Sequence, residues 1–345
     1  MEIFIMIDTL ELTYSFDSQY FNEIFKGVNA LIKTMNDRNS KRKVKMLHKE
    51  KNGFQTTAFW YWGFLEFKIA SINRNCLAKS KISIKFKPAI YIHSQNKYAL
   101  TNYEDYDQTR DVFNRVIGMI NSFLETTQLP EIDAWEIKRI DFAFQLETIY
   151  YLIYLKLFQK CYKNPFDNIY NTSFYTISKN TNINFYDKTV QLGLEDEYHV
   201  LRFEIQCKRK YLQHLKDKKR IVDITLKELW SKRISNVVKQ KIKEVIGSND
   251  FFNIERAEVL LYEKFSSKKA ERVLQFLRFS TKDHIMRSDM PYAFEMLNNQ
   301  KYGNEYVKNK IIPALNMLNI NPLIIPDYFG IDHLENPLHL LDRDT

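Results

Sequence analysis

Up to about residue 208, segments of two-residue alternation interleave with segments of helical spacing. Residues 2–16, rich in Ile, Phe, Leu and Thr, predict a strand. Asp17 then caps a helix over 18–35, with Phe21, Ile24, Phe25 and Val28 on one stripe. Strands are predicted over 59–72, 82–92, 135–146, 173–178, 182–192 and 199–207, and helices over 106–126 and 149–161. After residue 208 the pattern changes to helical stretches at 225–246, 254–265, 268–279, 290–299 and 305–318. A charge-rich segment at 215–223 marks the change. The expected fold class is α+β: an antiparallel-sheet domain over 1–220, then a smaller helical domain over 221–345.

Composition narrows the function classes. The 345 residues hold 51 Lys and Arg against 42 Asp and Glu, a net charge of +9, with 45% hydrophobic residues, as expected of a folded chain suited to polyanions. The eight glycines are spaced so that no dinucleotide loop, phosphate loop or nucleophile elbow can be written. A Rossmann dehydrogenase, a P-loop ATPase and an α/β-hydrolase are thereby excluded. Cys76, Cys161 and Cys207 are too few and too scattered for a zinc knuckle or a disulfide framework. The longest apolar run, 58–65, falls far short of the ~20 residues of a membrane span. The chain opens with an acid at position 2 and no basic segment, so the expected location is cytoplasmic.

The candidate chemistry lies on three strands. In 135–146, Ile140, Phe142, Phe144 and Leu146 alternate onto one face, which leaves Arg139 and Asp141 on the other. In 199–207, Leu201, Phe203, Ile205 and Cys207 mark the core, so Arg202 and Glu204 lie opposite. In 182–190, Ile183 and Phe185 oppose Asn184, Tyr186 and Lys188. If these strands pair, one sheet face carries two carboxylates, a tyrosine and cations. Carboxylates on a rigid surface suit a hard cation such as Mg²⁺ or Mn²⁺, which would polarise a phosphodiester. A tyrosine beside them suits nucleophilic attack, with Lys188 lowering the phenol pKa or stabilising the pentacoordinate phosphate. The competing reading makes Asp141 and Glu204 salt-bridge partners of Arg139 and Arg202 on an outer sheet face.

Four blocks in order, MIDTLELTYSF, IKRIDFAF, INFYDKTVQL and LRFEIQCKRKYL, together with KKAERVLQFLRF near the C-terminus, resemble the gene II/X replication proteins of filamentous phages and related plasmids. The resemblance implies a rolling-circle replication initiator that nicks one strand at an origin and is held to the 5′ phosphate through a tyrosine. Tyr186 inherits the nucleophile's role and Lys188 that of its partner. Asp141 and Glu204 are the expected metal positions, on geometry more than on the resemblance. Asp8 is a third ligand or a strand-end hydrogen-bonding residue, and His93 touches the site or sits on the surface. Implied partners are origin DNA, single-stranded or supercoiled, with a host helicase and a second copy of the chain to be tested, and no membrane.

DNA contacts are expected from Arg139 and Arg202, and from Lys208, Arg209, Lys210, Lys216, Lys218, Lys219 and Arg220, seven cations against one Asp over 208–220. The alternative for that segment is a solvated helix with Leu212 and Leu215 packed inward. The basic segment 41–51 reads as a further arm. The C-terminal helices read as an origin reader or a dimerisation surface. Two rivals stand beside the enzyme: a non-catalytic basic nucleic-acid-binding protein or regulator, and an RNA-binding module stacking bases on Trp60, Tyr61 and Trp62.

Overall fold

A computed structural model of the chain describes residues 5–38, 57–62, 65–72, 79–94, 96–161, 168–170, 172–176, 179–194, 198–280 and 304–339. Its centre is an antiparallel sheet built from β1 (Met6–Asp17), β2 (Thr57–Trp62), β3 (Leu65–Ile72), β4 (Lys79–Phe86), β5 (Glu136–Thr148), β6 (Asn168–Tyr170), β7 (Ser173–Thr176), β8 (Thr181–Asp187) and β9 (His199–Lys208). Their order across the sheet is β2-β3-β4-β1-β5-β9-β8-β7-β6. With the helices that cover one of its faces, this is an α+β fold.

That face is apolar because side chains alternate along the strands, the two register shifts between β1 and β5 keeping the apolar set on one side. Phe144, Phe203 and Phe185 are direct cross-strand neighbours on β5, β9 and β8, and the first two rings stack at 5.5 Å. Against the face lie α1 (Phe21–Arg38), through Ile24, Val28 and Leu31, and α3 (Tyr106–Asn121), through Val112, Phe113 and Val116. α4 (Tyr151–Cys161) adds Ile153, Leu157 and Phe158. Gly27 lets α1 approach the residues after α3, since a Cβ there would meet Leu124 Cδ2 at 2.6 Å.

Several expected boundaries move, each for a local reason. Residues 59–72 are two strands of a hairpin, with Thr57 paired to Ala70 and Trp62 to Leu65. The strand expected over 82–92 stops at Phe86, because Pro88 opens the short helix α2 (Pro88–Ile92). The strand expected over 182–192 stops at Asp187, whose carboxylate caps the helical turn α5 (Lys188–Gln191) by accepting the Val190 N–H at 3.1 Å. The arm at 41–51, the helix at 290–299 and the side chains of Trp60, Tyr61 and Trp62 lie outside the described residues.

The helices after residue 221 divide between two cores. Leu226 and Leu229 of α7 (Leu226–Leu229) and Trp230, with Ile234, Val238 and Ile242 of α8 (Lys232–Ile246), pack with the sheet. α9 (Ile254–Lys264), α10 (Ser267–Ser280) and the segment Val307–Ile311 gather Leu261, Leu274, Leu277 and Ile311 into a second core. No helix among the described residues is long and apolar enough to cross a membrane.

Candidate active site on the polar face of the sheet

The register of three strands sets the site. Across β5, β9 and β8 the opposed triplets are Asp141–Gln206–Asn182, Ala143–Glu204–Asn184 and Gln145–Arg202–Tyr186. Tyr186 and Glu204 are therefore diagonal neighbours, as are Glu204 and Asp141, within reach of long side chains. The Tyr186 hydroxyl donates to Glu204 Oε1, and Asn184 Nδ2 lies 3.4 Å from Glu204 Oε2. Tyr186, Glu204, Asn184, Asp141 and Gln206, with Asp8, Thr9, Lys87 and Arg139, line a cavity of about 570 Å³.

Asp8 reaches the site through a β-bulge. Ile7 pairs with Phe142 and Thr9 with Asp141, so β1 carries one extra residue there. The bulge turns Asp8 onto the polar face, where Thr9 Oγ1 donates to Asp8 Oδ2 at 2.6 Å. Asp8 is the centre of a buried charge cluster. Arg202 Nη1 donates to its Oδ1 at 2.8 Å, and Lys87 Nζ to its Oδ2 at 2.8 Å. Arg202 is 1% exposed, donates Nη2 to Tyr98 O and Gln145 Oε1 at 2.7 and 2.9 Å, and keeps Nε buried without a partner. Burial opposes the Asp8 charge, but Lys87 and Arg202 outweigh it and hold the carboxyl below its ordinary range.

Asp141 is gripped by Arg139, which donates Nε to Oδ1 at 2.7 Å and Nη2 to Oδ2 at 2.5 Å. Burial nevertheless pushes the Asp141 carboxyl up to about 7, with Glu204 and Asp8 adding to the push against the pull of Arg139. Burial, then the charge of Glu204, raise the Tyr186 phenol well above its usual value. Lys188 stands 5.9 Å from the Tyr186 ring centroid and donates to Gln191 Oε1 at 2.6 Å. Burial, then the charges of Arg202 and Lys87, bring its ammonium down to about 8.

The turn that carries Lys188 is itself held. His199 Nδ1 and Asp187 Oδ2 are hydrogen-bonded, and the Tyr151 ring stacks on His199 at 3.6 Å. Thr189 Oγ1 accepts the Val200 N–H at 2.9 Å.

The fold thus brings Tyr186, Lys188, Glu204, Asp141, Asp8, Arg139 and Arg202 together, with corrections. Lys188 is not on the strand face; it opens α5 and approaches the ring from beyond the strand end. Arg202 is not a surface phosphate contact, because it is buried and bound to Asp8. His93 pairs with Asp105 at 3.0 Å and does not line the cavity.

In 208–220 the structure shows the solvated helix, with its cations left on the outside. Leu212 and Leu215 of α6 (Arg209–Asp217) are buried, while Arg209, Lys210, Lys216, Lys218, Lys219 and Arg220 are exposed. Lys216 bonds Asp223, and Lys208 Nζ donates to Asn182 Oδ1 at 2.9 Å.

The expected Mg²⁺ or Mn²⁺ does not fit the donors as arranged. Both oxygens of Asp141 go to Arg139, those of Asp8 go to Arg202, Lys87 and Thr9, and Glu204 takes Tyr186 and Asn184. Among the described residues no group of three His, Cys, Asp or Glu is placed to hold an ion. The sequence reading overlooked Lys87, although Lys81, Ser83, Lys85 and Lys87 alternate with Ile82, Ile84 and Phe86. It also assigned nothing to Gln206 or to the Asp187–His199 pair.

No family model matches the chain, and no curated protein matches it. A solved structure of a rolling-circle replication initiator from Geobacillus stearothermophilus is similar over 63% of this chain and 80% of its own, at 14% identity and a TM-score of 0.30. That likeness is too slight to assign an activity, which must rest on the geometry of the site.

Proposed function

We propose that the chain nicks and rejoins one strand of DNA at a replication origin, with Tyr186 as nucleophile, and so initiates rolling-circle replication. One observation carries the reading. Glu204 does not pair with Arg202 beside it on the same strand face; Arg202 is neutralised by Asp8, and Glu204 faces the Tyr186 hydroxyl. A buried carboxylate hydrogen-bonded to a buried phenol is a base with its proton donor in place.

In the proposed reaction the Tyr186 oxygen attacks phosphorus as its proton passes to Glu204. The bond from phosphorus to the 3′ oxygen breaks, and its electron pair leaves on that oxygen. Lys188, with an ammonium near 8, supplies the proton that completes the 3′-hydroxyl. The product is a 5′-phosphotyrosine, and the reverse path rejoins the strand. Lys87, in the cavity lining, and Lys188, 5.9 Å from the Tyr186 ring centroid, would offset the charge that the pentacoordinate phosphate develops. Arg139 gripping Asp141 favours the second reading, a non-catalytic basic sheet, for that pair alone.

Tyr186→Phe removes only the hydroxyl. It should leave oligonucleotide binding intact and abolish the covalent adduct on a single-stranded oligonucleotide carrying the origin. Mass spectrometry of the wild-type adduct should place the nucleotide on the peptide that spans 183–188. An adduct surviving in Tyr186→Phe, or found on another tyrosine, refutes the assignment.

A further inference from the structure

The polar face of the sheet continues past the site, across β1, β4 and β3. Thr9 and Thr13 lie on the same face of β1, as do Lys85 and Lys81 on β4. At the Thr13 end is a second concavity, of about 360 Å³. Lys68, Lys81, Lys138 and Arg209 stand in its wall, and Thr13 and Ser83, bonded to each other at 2.8 Å, are buried in its lining. Glu136 is the acid among its lining residues, and Glu11 beside it is bound by Lys138. Burial, then the nearby Lys138 charge, hold the Lys68 ammonium below its ordinary value, with Glu11 offsetting only part of this.

A solvated face would let its lysines spread apart. Here they converge on a groove with a hydroxyl floor, which is the donor set that phosphate oxygens accept from. Four residues of β1 separate Thr9 in the site from Thr13 in the groove, or about 14 Å at ~3.4 Å per residue. That span is a few nucleotides of extended strand.

We propose that this groove binds the sugar–phosphate backbone of the single DNA strand whose neighbouring phosphate lies at Tyr186. The destination of the strand rests on the proposed nicking function; the polyanion site itself does not. The groove reads no base, so its contribution is independent of sequence and grows with strand length.

The test is equilibrium binding of short and long oligothymidylates, followed by fluorescence anisotropy across a salt series. In wild-type protein the longer strand should bind more tightly. In Lys68→Gln/Lys81→Gln that gain should disappear, and the slope of log K against log salt should flatten by about 1.4, at ~0.7 for each phosphate of a single strand that is no longer neutralised. If the double variant fails to fold by thermal melting, Lys81→Gln alone should flatten the slope by half as much. An unchanged length gain and slope overturn the proposal, as does polyglutamate competing as well as DNA for the wild-type groove. Adduct formation on the shortest cleavable oligonucleotide should be preserved in both variants. Loss of all adduct in wild-type protein, with the length gain still sensitive to the lysines, would sink the nicking function and support the groove.

Discussion

Glu204→Gln isolates the proposed base. Glutamine keeps the volume and can still accept from the Tyr186 hydroxyl through its one oxygen, with its NH2 facing an Asn184 amide turned to accept, so the cavity should hold its shape. What goes is the group that takes the proton. Burial first, then the Glu204 charge, raise the phenol, with the Asp8 charge and the hydrogen bond to Glu204 adding to them. The variant removes the Glu204 charge and leaves burial and Asp8, so the hydroxyl ionises more easily but has no base beside it. A positioned general base is worth about 10²–10⁴ in rate, or ~3–5 kcal/mol at 1.36 kcal/mol per decade. Strand binding should be equal or tighter, because a negative charge has left the neighbourhood of a phosphate. The assay is single-turnover adduct formation with enzyme saturating a 5′-cleavable oligonucleotide, read on denaturing gels. A fall of two to four decades, as that range sets, with unchanged or improved affinity is the expected result. A rate within about threefold of wild type at equal occupancy would show that Glu204 takes no proton, since that is only ~0.6 kcal/mol.

Two further outcomes follow from the same cluster. With Lys188 as proton donor and its ammonium near 8, adduct formation should fall as pH rises through about 8, because the acid form is lost; Lys188→Arg, charged throughout that range, should remove this limb, and an unmoved limb in the variant would refute the role. Asp8→Ala should destabilise the fold by about 3–5 kcal/mol in urea unfolding, because it leaves Arg202 buried without its carboxylate, and a loss below about 1 kcal/mol would show that Arg202 does not depend on Asp8.

Which residues share a face was legible in the sequence, because side-chain alternation is a local property of a strand. Leu201, Phe203 and Ile205 are enough to put Glu204 opposite the core, whatever β9 pairs with. The end of β8 was legible too, though alternation alone missed it: an Asp directly before Lys-Thr-Val is a cap, and Lys188 then opens a turn instead of extending the strand. What each charge binds was not legible. Arg202 has Glu204 two residues away on its own face, yet it bonds Asp8, 194 residues distant in the chain. That choice depends on which strands become neighbours, which no local pattern contains.

The deciding feature leaves one trace in the sequence. Ile5 and Ile7 mark the core at odd positions of β1, whereas Leu10 and Leu12 mark it at even ones, so the parity switches between residues 7 and 10. A strand that changes parity without changing face must carry an extra residue, and the register shift places it at Asp8. The same switch occurs between Ile137 and Ile140 of β5, where Lys138 is the extra residue and binds Glu11. The parity of Leu10 and Leu12, continued back through a regular strand, would point Asp8 at the core and away from Arg202. The bulge brings a carboxylate to Arg202 instead. Arg202 then has its counter-charge without Glu204, and Glu204 accepts from the tyrosine. One extra residue on β1 therefore goes with Arg202 pairing with Asp8 and with Glu204 accepting from the Tyr186 hydroxyl, the pairing on which the proposed function depends.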